Sequence, residues 1–254
     1  MLLNKLSDKH AKVGLRLKTS HGTEIRMSHW MLSTAIALTL LPAAAFAAGT
    51  CTPSAFPAST TFLNGTIAGG VDGDTFKVTI SGQTYSVRML NIDTPETHFH
   101  GLSQGNWGEQ AATRAAQLMP AGKAVRIELS IQHCDTYGRI LGYAVVGGQD
   151  INAQIVEEGL AVNYCISPNL DRCAAYAALA KESITARRGF FSDSSVEIPY
   201  EWRLRMSGGT SHYYVGNIET RAVSAPSDTD LVPVYARVFF TSRISIVSPY
   251  YLVN

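Results

Sequence analysis

The sequence predicts an α+β fold, mainly β, in which a five-stranded Greek-key barrel carries three helices and is followed by a small β-rich segment. Three observations support this prediction. Short β-type runs alternate with tight turns, one helical run is inserted between the third and fourth strands, and two helical runs follow the fifth strand. The chain has 254 residues, of which 46% are hydrophobic and 16% charged. This composition suits one well-packed domain with additions and excludes a disordered chain.

The predicted elements follow one another in the order of such a barrel. The strands are Phe62–Ala68, Thr75–Ile80, Thr84–Ile92, Ala124–Leu129 and Arg139–Val146. The helices are Glu109–Met119, Asn152–Glu158 and Leu170–Arg188. Tight turns at residues 81–83 and 135–138 precede the third and fifth strands. Short antiparallel strands with one inserted helix are typical of the OB type of barrel, so we assign residues 62–193 to one OB-fold domain.

Residues 194–254 differ in character from the barrel and are predicted to form a small appendage. Tyr213–Arg221 and Val232–Val247 are rich in aromatic and β-branched residues, which predicts two or more strands. No cysteine follows Cys173, so we do not expect this segment to bind a metal. We expect a structural or substrate-accessory role for it.

The N-terminal residues 1–47 have the organisation of a cleaved signal peptide. Basic residues precede the uncharged run Met31–Phe46, whose apolar centre is shorter than the roughly 20 residues that span a bilayer. Ala45-Phe46-Ala47 has the form of a signal-peptidase site, so we expect cleavage after Ala47, with Met27 as an alternative start. We therefore expect a secreted or periplasmic protein without stable membrane association, in which residues 48–61 form a linker. An uncleaved membrane anchor is the alternative.

The charge is small and unevenly distributed. The formal net charge is +1, but residues 1–47 hold six of the 21 basic residues and two of the 20 acidic ones. Residues 48–254 therefore carry 15 basic and 18 acidic residues, a net charge of −3. This balance excludes a protein that binds nucleic acid by its overall positive charge, so any such binding must be local.

All four cysteines follow the predicted cleavage site: Cys51, Cys134, Cys165 and Cys173. An even number of cysteines in an exported chain favours disulfides. Cys165 and Cys173 flank a short loop, so we expect them to pair with each other and Cys51 to pair with Cys134. Free buried thiols are the alternative, because cysteine is often a small core residue.

Three short polar clusters carry the residues that chemistry requires. They are Asp72-Gly73-Asp74-Thr75, Arg88 followed by Asp93-Thr94-Pro95-Glu96-Thr97, and Asp135-Thr136-Tyr137-Gly138-Arg139. Taken singly, they are typical of a turn, a helix start and a hairpin with a solvated arginine. Their joint occurrence around a five-strand pattern favours a functional site instead.

The first two clusters contain the ligands that Ca²⁺ prefers. Asp74 and Asp93 offer hard carboxylate oxygens, and Pro95 restricts Thr94 to an extended shape that can present its carbonyl in a fixed direction. Water would complete the coordination of the ion. Glu96 follows Asp93 by three residues, so it can reach the same pocket and activate a water.

Two arginines complete the set of candidate site residues. Arg88 lies in a mostly apolar run, where a guanidinium is costly unless it meets an anion. Arg139 follows a tight turn and can approach the pocket from the opposite wall. When a nucleophile attacks the phosphorus of a phosphodiester, negative charge increases on the phosphate oxygens. Two arginines and a cation can stabilise this charge.

In this order, the three clusters resemble those of the staphylococcal nuclease family over roughly residues 62–192. The resemblance implies an OB barrel with three helices and Ca²⁺-dependent cleavage of DNA and RNA that leaves 3′-phosphates. It implies a catalytic role for Arg88, Glu96 and Arg139, Ca²⁺ binding by Asp74, Asp93 and the Thr94 carbonyl, and nucleotide ring contacts by Tyr137 and Tyr164. The chain departs from the family prototype at Thr136, where the prototype has a basic residue that contacts a phosphate.

Two classes of function follow. The first is an exported, monomeric nuclease with low sequence specificity and a preference for single-stranded DNA and RNA, because phosphates carry no base information and ring stacking needs unpaired bases. The second is a non-catalytic OB-fold module that binds nucleic acid or a protein. The intact catalytic and carboxylate residues favour the first.

Overall fold

The structure, a computed structural model, describes residues 47–253. The predicted signal peptide therefore lies, apart from Ala47, outside the described residues, and so does the alternative start at Met27. Within residues 47–253, none of the helices has the length and apolar composition needed to cross a bilayer.

The described residues form thirteen strands and four α-helices. The strands are β1 (Ala47–Ala48), β2 (Phe62–Gly70), β3 (Thr75–Ile80), β4 (Gln83–Met89), β5 (Asn91–Asp93), β6 (Ala124–Cys134), β7 (Ile140–Val146), β8 (Gln149–Asp150), β9 (Val162–Ile166), β10 (Tyr214–Asn217), β11 (Ala222–Ser224), β12 (Arg237–Phe240) and β13 (Tyr251–Leu252). The helices are α1 (Asn106–Leu118), α2 (Ile151–Glu157), α3 (Cys173–Thr185) and α4 (Pro199–Met206).

Five strands close into a barrel, which confirms the predicted fold. The hydrogen-bonded order is β4-β3-β2-β6-β7, and β7 returns to β4. The neighbours along this order are antiparallel, whereas the closing pair is parallel, with Val87 opposite Ile140 and Arg88 opposite Leu141. Apolar side chains that alternate along these strands fill the interior, among them Ile67, Val78 and Ile127.

The run 84–92, predicted as one strand, is divided in two. Leu90 separates β4 from β5, and Asn91 adopts a left-handed backbone with φ of 61°. The Asn91 side chain accepts a hydrogen bond from the Tyr143 hydroxyl at 2.5 Å and donates one to the Asn169 carbonyl at 2.7 Å. These buried bonds hold the bend, and β5 leaves the barrel to pair with β9, a strand that the sequence analysis missed.

Beside the barrel, β5 and β9 belong to a second sheet that includes the C-terminal segment. Its strand order is β13-β11-β10-β12-β9-β5. β12 pairs in parallel with β9, with Val238 opposite Cys165. The C-terminal segment therefore extends the sheet that ends at Asp93, and its apolar residues share a core with β9 and α3.

Both disulfides join the cysteines that were expected to pair, Cys51 with Cys134 and Cys165 with Cys173. The first bridge fixes residues near the start of the described chain to the end of β6. The second joins β9 to the beginning of α3. The prediction of the pairing is confirmed, and the alternative of free buried thiols is wrong.

Candidate active site

Two buried carboxylates meet at one guanidinium. The Asp93 side chain is fully buried and that of Asp74 is 8% exposed. Arg88 Nη2 lies 2.9 Å from Asp93 Oδ1 and 3.2 Å from Asp74 Oδ2. The two predicted metal-ligating carboxylates therefore lie within a few ångströms of each other, beside one of the predicted catalytic arginines.

The backbone break after β4 explains how these groups come together. Arg88 lies in β4 opposite Thr75, the residue after Asp74. Its Nη1 donates to the carbonyls of Met89 and Ile92, at 2.8 and 2.9 Å, and so bridges the bend between β4 and β5. Arg88 therefore has a structural role in holding Asp93, besides its predicted contact with phosphate.

Thr94 lies directly against Asp74. Its backbone nitrogen and its hydroxyl donate to Asp74 Oδ2, at 3.0 and 3.2 Å. Gly73 allows this approach, because a Cβ built there would lie 2.7 Å from Thr94 Oγ1. The structure thus brings Thr94 together with the Asp74 carboxylate through the Thr94 backbone nitrogen and hydroxyl.

Glu96 lies in the loop that follows β5, at the beginning of a tightly packed segment. Its backbone nitrogen donates to Gln104 Oε1 at 3.0 Å. Helix α1 approaches this loop at Gly108, where a Cβ would lie 2.4 Å from the Glu96 carbonyl oxygen. The packing fixes the backbone of Glu96, and its side chain is 17% exposed.

An arginine that the sequence analysis missed bridges Glu96 and Asp93. Arg203 of α4 places Nη1 2.5 Å from Glu96 Oε1 and Nη2 2.9 Å from Asp93 Oδ2. It lies 107 and 110 residues after these partners. The run PYEWRLRM is rich in arginine and aromatic residues, which is a signal of function, but only the fold shows which carboxylates it meets.

The predicted ring contacts differ in their surroundings. Tyr137 is 84% exposed. Tyr164 of β9 instead stacks on Tyr200 of α4, with 5.0 Å between ring centroids and 13° between ring planes. The guanidinium carbon of Arg203 lies 5.9 Å from the Tyr164 centroid. The C-terminal segment therefore covers one of the two predicted ring contacts and leaves the other open.

Arg139 is held in the turn between β6 and β7. Its Nε lies 2.6 Å from Asp135 Oδ2, and its guanidinium lies over the Tyr137 ring at 5.4 Å. Arg139 directly precedes Ile140, which pairs with Val87 next to Arg88. The backbones of the two predicted catalytic arginines therefore begin from neighbouring positions of adjacent strands, and the described contacts of the Arg139 side chain are those with the turn.

Burial and neighbouring charges shift the pKa values of several groups in the site. It raises the pKa of Asp93 to about 6, although Arg203 and Arg88 partly offset this effect. Burial and the neighbouring Asp74 raise the pKa of Asp72 to about 7. Burial alone would lower the pKa of Arg203, but the charges of Asp93 and Glu96 outweigh it and raise that pKa.

The donors in the site fit Ca²⁺ in their chemistry and are few in number. Asp74 and Asp93 present hard oxygens around one point, the position of Arg88 Nη2, and Thr94 lies beside them. Among residues 47–253, no three His, Cys, Asp or Glu side chains are arranged to hold a metal. A Ca²⁺ ion would therefore need the Thr94 carbonyl and water to reach its usual six to eight ligands.

Comparison with known proteins shows which family this part of the chain resembles. The model of the family described as "Staphylococcal nuclease homologue" matches residues 86–193. This range includes most of the predicted site residues and excludes Asp74 and Arg203.

Several curated proteins are similar to the chain. Endonuclease YhcR of Bacillus subtilis (strain 168) is 27% identical over 184 residues, which cover 68% of this chain and 15% of that protein. SPbeta prophage-derived endonuclease YokF of the same organism is 36% identical over 136 residues, 50% of this chain and 46% of that protein. Micrococcal nuclease of Shigella flexneri is 33% identical over 150 residues, 56% of this chain and 80% of that protein.

The match is therefore partial for the two Bacillus relatives, of which this chain spans less than half. It extends over four fifths of the Shigella nuclease. The closed five-stranded barrel agrees with this similarity. The chain belongs to the staphylococcal nuclease family.

Proposed function

We propose that this protein is an exported, Ca²⁺-dependent nuclease that hydrolyses phosphodiester bonds in DNA and RNA and leaves 3′-phosphates. The observation that carries the proposal is the buried cluster of Arg88, Asp74, Asp93 and Thr94, with Glu96 joined to it through Arg203. Relatives of this chain are named as endonucleases and nucleases. Calcium and the 3′-phosphate products are inferred from the resemblance to the family.

In the proposed reaction, Asp74, Asp93 and the Thr94 carbonyl would hold Ca²⁺, which would supply positive charge near the phosphate. Glu96 holds a water and accepts its proton as the water attacks phosphorus. The bond between phosphorus and the 5′-oxygen breaks, and the leaving 5′-oxygen takes a proton from solvent water to become a hydroxyl. The phosphate therefore remains on the 3′ side, and Glu96 returns its proton to solvent. Arg88 and Arg139 bind the phosphate oxygens, where negative charge increases during the attack.

The proposed substrates are single-stranded or locally opened nucleic acids. Tyr137 is exposed and can stack on an unpaired base. Tyr164 is the second proposed ring contact, but Tyr200 covers one face of its ring. A nucleotide ring can therefore stack on Tyr164 only at the other face, or after the side chains of α4 move. Recognition through phosphate gives low sequence specificity. We propose that the protein acts as a monomer.

An exported location agrees with the two disulfides, since such bridges persist in oxidising compartments. We propose that residues 1–47 are the signal peptide and that it is cleaved after Ala47. N-terminal sequencing of the exported protein tests this directly. A chain that begins at Ala48 is the expected result, and a chain that retains residues 31–46 would contradict it.

The activity is tested by digestion of heat-denatured DNA and of RNA with millimolar Ca²⁺ or with a chelator. We expect cleavage only with Ca²⁺, and end-group analysis should find 3′-phosphates. Glu96→Gln should lower the rate by roughly 10²–10⁴-fold, because it removes the proton acceptor. Glu109→Gln, at an exposed position of α1, is the matched control and should cleave normally.

A folded protein that binds single-stranded DNA without cleaving it would overturn the nuclease proposal and favour the non-catalytic OB module. Chelator-resistant cleavage would overturn the calcium requirement alone. Circular dichroism of each variant establishes that a loss of activity is not a loss of fold.

A further inference from the structure

Helix α4 brings Arg203 to the two groups on which the proposed chemistry depends. One guanidinium nitrogen bonds Glu96, the proposed water-activating residue, and another bonds Asp93, a proposed Ca²⁺ ligand, at 2.5 and 2.9 Å. These are ion pairs at short range with a side chain that is only 21% exposed. Arg203 thus bridges Asp93 Oδ2 and Glu96 Oε1, while Arg88 Nη2 lies between Asp93 Oδ1 and Asp74 Oδ2.

Arginine side chains compensate most of the negative charge of the cluster. The three carboxylates of Asp74, Asp93 and Glu96 face two guanidinium groups, those of Arg88 and Arg203. Asp93 is fully buried, and a buried carboxylate without compensation is strongly destabilising. Arg203 therefore supplies positive charge that a divalent cation would otherwise supply.

We propose that Arg203 is an internal competitor for the divalent cation, so that Ca²⁺ must displace its guanidinium from Asp93 before the site is active. This inference rests on the proposed function, in which Asp93 is a Ca²⁺ ligand. The site is then self-inhibited at low Ca²⁺ concentration. Displacement also frees Glu96, because the same guanidinium holds both carboxylates.

The proposed displacement of Arg203 involves its side chain and not the backbone of α4, because several contacts fix this helix. Trp202 packs on Phe99 with 5.9 Å between ring centroids, and Gln104 Nε2 donates to the Glu197 carbonyl at 2.9 Å. In the first turn of α4, the Tyr200 hydroxyl accepts a hydrogen bond from Arg237 Nη1 at 2.8 Å. The helix therefore stays in place while the long, partly exposed side chain of Arg203 moves.

A competitor of this kind weakens the apparent affinity for Ca²⁺ by the fraction of molecules in which Asp93 is free. Removing it should tighten Ca²⁺ binding. Arg203→Met keeps the length and apolar stem of the side chain and removes its charge. Arg203→Lys keeps one charge but loses the fork that reaches two carboxylates, so its effect should lie between those of Met and the native residue.

The experiment is calorimetric titration of the purified protein with CaCl₂, together with the Ca²⁺-induced shift of Tm. We expect Arg203→Met to bind Ca²⁺ roughly tenfold or more tightly, with Arg203→Lys intermediate. Arg205→Met is the matched control, because Arg205 lies on the same helix and pairs with Glu197 at the surface, with its side chain 58% exposed. It should leave Ca²⁺ affinity unchanged.

Cleavage as a function of Ca²⁺ concentration gives the second measurement. Arg203→Met should reach half-maximal rate at a lower Ca²⁺ concentration and keep at least the native rate at saturation. The inference would be overturned if Arg203→Met bound Ca²⁺ with the same affinity as the native protein, or if it cleaved more slowly than the native protein at saturating Ca²⁺. Either result would leave the proposed nuclease function intact. Absence of Ca²⁺ binding in every folded variant would overturn the calcium function and, with it, this inference.

Discussion

Tyr164 and Tyr200 stack face to face, with 5.0 Å between ring centroids and 13° between ring planes. The first ring belongs to β9 beside the barrel and the second to α4 of the C-terminal segment. Phe239 contacts both, at 5.3 and 5.2 Å between centroids. This aromatic cluster joins the part of the chain that matches the family to the part that lies outside the match.

Loss of the Tyr200 ring should weaken this connection. Tyr200→Ala removes the partner of Tyr164 and is expected to lower the free energy of unfolding by about 3 kcal/mol. Tyr200→Phe is the control, because it removes only the hydroxyl that accepts from Arg237 and should cost about 1 kcal/mol. Urea unfolding measures both values. Equal losses in the two variants would contradict a stabilising role for the stack.

The exposed Tyr137 should act on substrate affinity rather than on stability. Stacking of a base on an aromatic side chain contributes about 1–3 kcal/mol, so Tyr137→Ala should raise KM for a single-stranded oligonucleotide roughly tenfold with little change in kcat. Tyr251→Ala is the control, because Tyr251 is also exposed and belongs to β13 of the second sheet. An unchanged KM in Tyr137→Ala would remove this residue from the substrate-binding surface.

Arg139 depends on Asp135 for its orientation. Asp135 Oδ1 accepts from the backbone nitrogens of Tyr137 and Arg139, both at 2.9 Å, and Oδ2 binds the Arg139 side chain. Arg139→Ala should lower the rate by several orders of magnitude while the fold is retained. Asp135→Asn retains a side-chain oxygen that can accept from the backbone of the turn, but it removes the charge that pairs with Arg139, so a smaller loss of rate is expected. Initial rates of cleavage of denatured DNA measure both effects. A larger loss of rate in Asp135→Asn than in Arg139→Ala would contradict the prediction.

The two disulfides should contribute unequally to stability. Cys51–Cys134 closes a loop of 83 residues and Cys165–Cys173 one of 8. Restriction of the unfolded chain predicts about 4.5 kcal/mol for the longer loop and about 2.5 kcal/mol for the shorter. Guanidinium unfolding of the two paired Cys→Ala variants measures the difference. A greater loss from the shorter loop would show that packing around Cys165 outweighs chain entropy.

The barrel and the neighbourhood of Asp74, Asp93 and Thr94 followed from local patterns. Short β-type runs separated by tight turns predicted the barrel strands, and the residues of the first two clusters lie at the ends of such runs. The bend at Asn91 did not follow, because its left-handed backbone depends on Tyr143 and Asn169, which are distant in the chain.

Arg203 shows the limit of sequence reasoning more clearly. A helix with Pro199 at its first turn and two arginines in its last turn is readable from local signals. The contacts of Arg203 with Asp93 and Glu96 are set by the docking of α4 on the loop after β5, which depends on side chains from both parts of the chain. Tertiary packing of this kind leaves no periodic trace in a single sequence.

The parallel pairing of β12 with β9 has a consequence for any shortened form of the protein. A chain that ended at Asp193 would retain every predicted catalytic residue. It would, however, expose the backbone groups of β9 that pair with β12 and the residues of β9 and α3 that share a core with the C-terminal segment. An uncovered edge strand of this type pairs readily with other chains. We therefore predict that the C-terminal segment protects the edge of β9 from aggregation, and that a shortened form must extend to β12 to remain in solution.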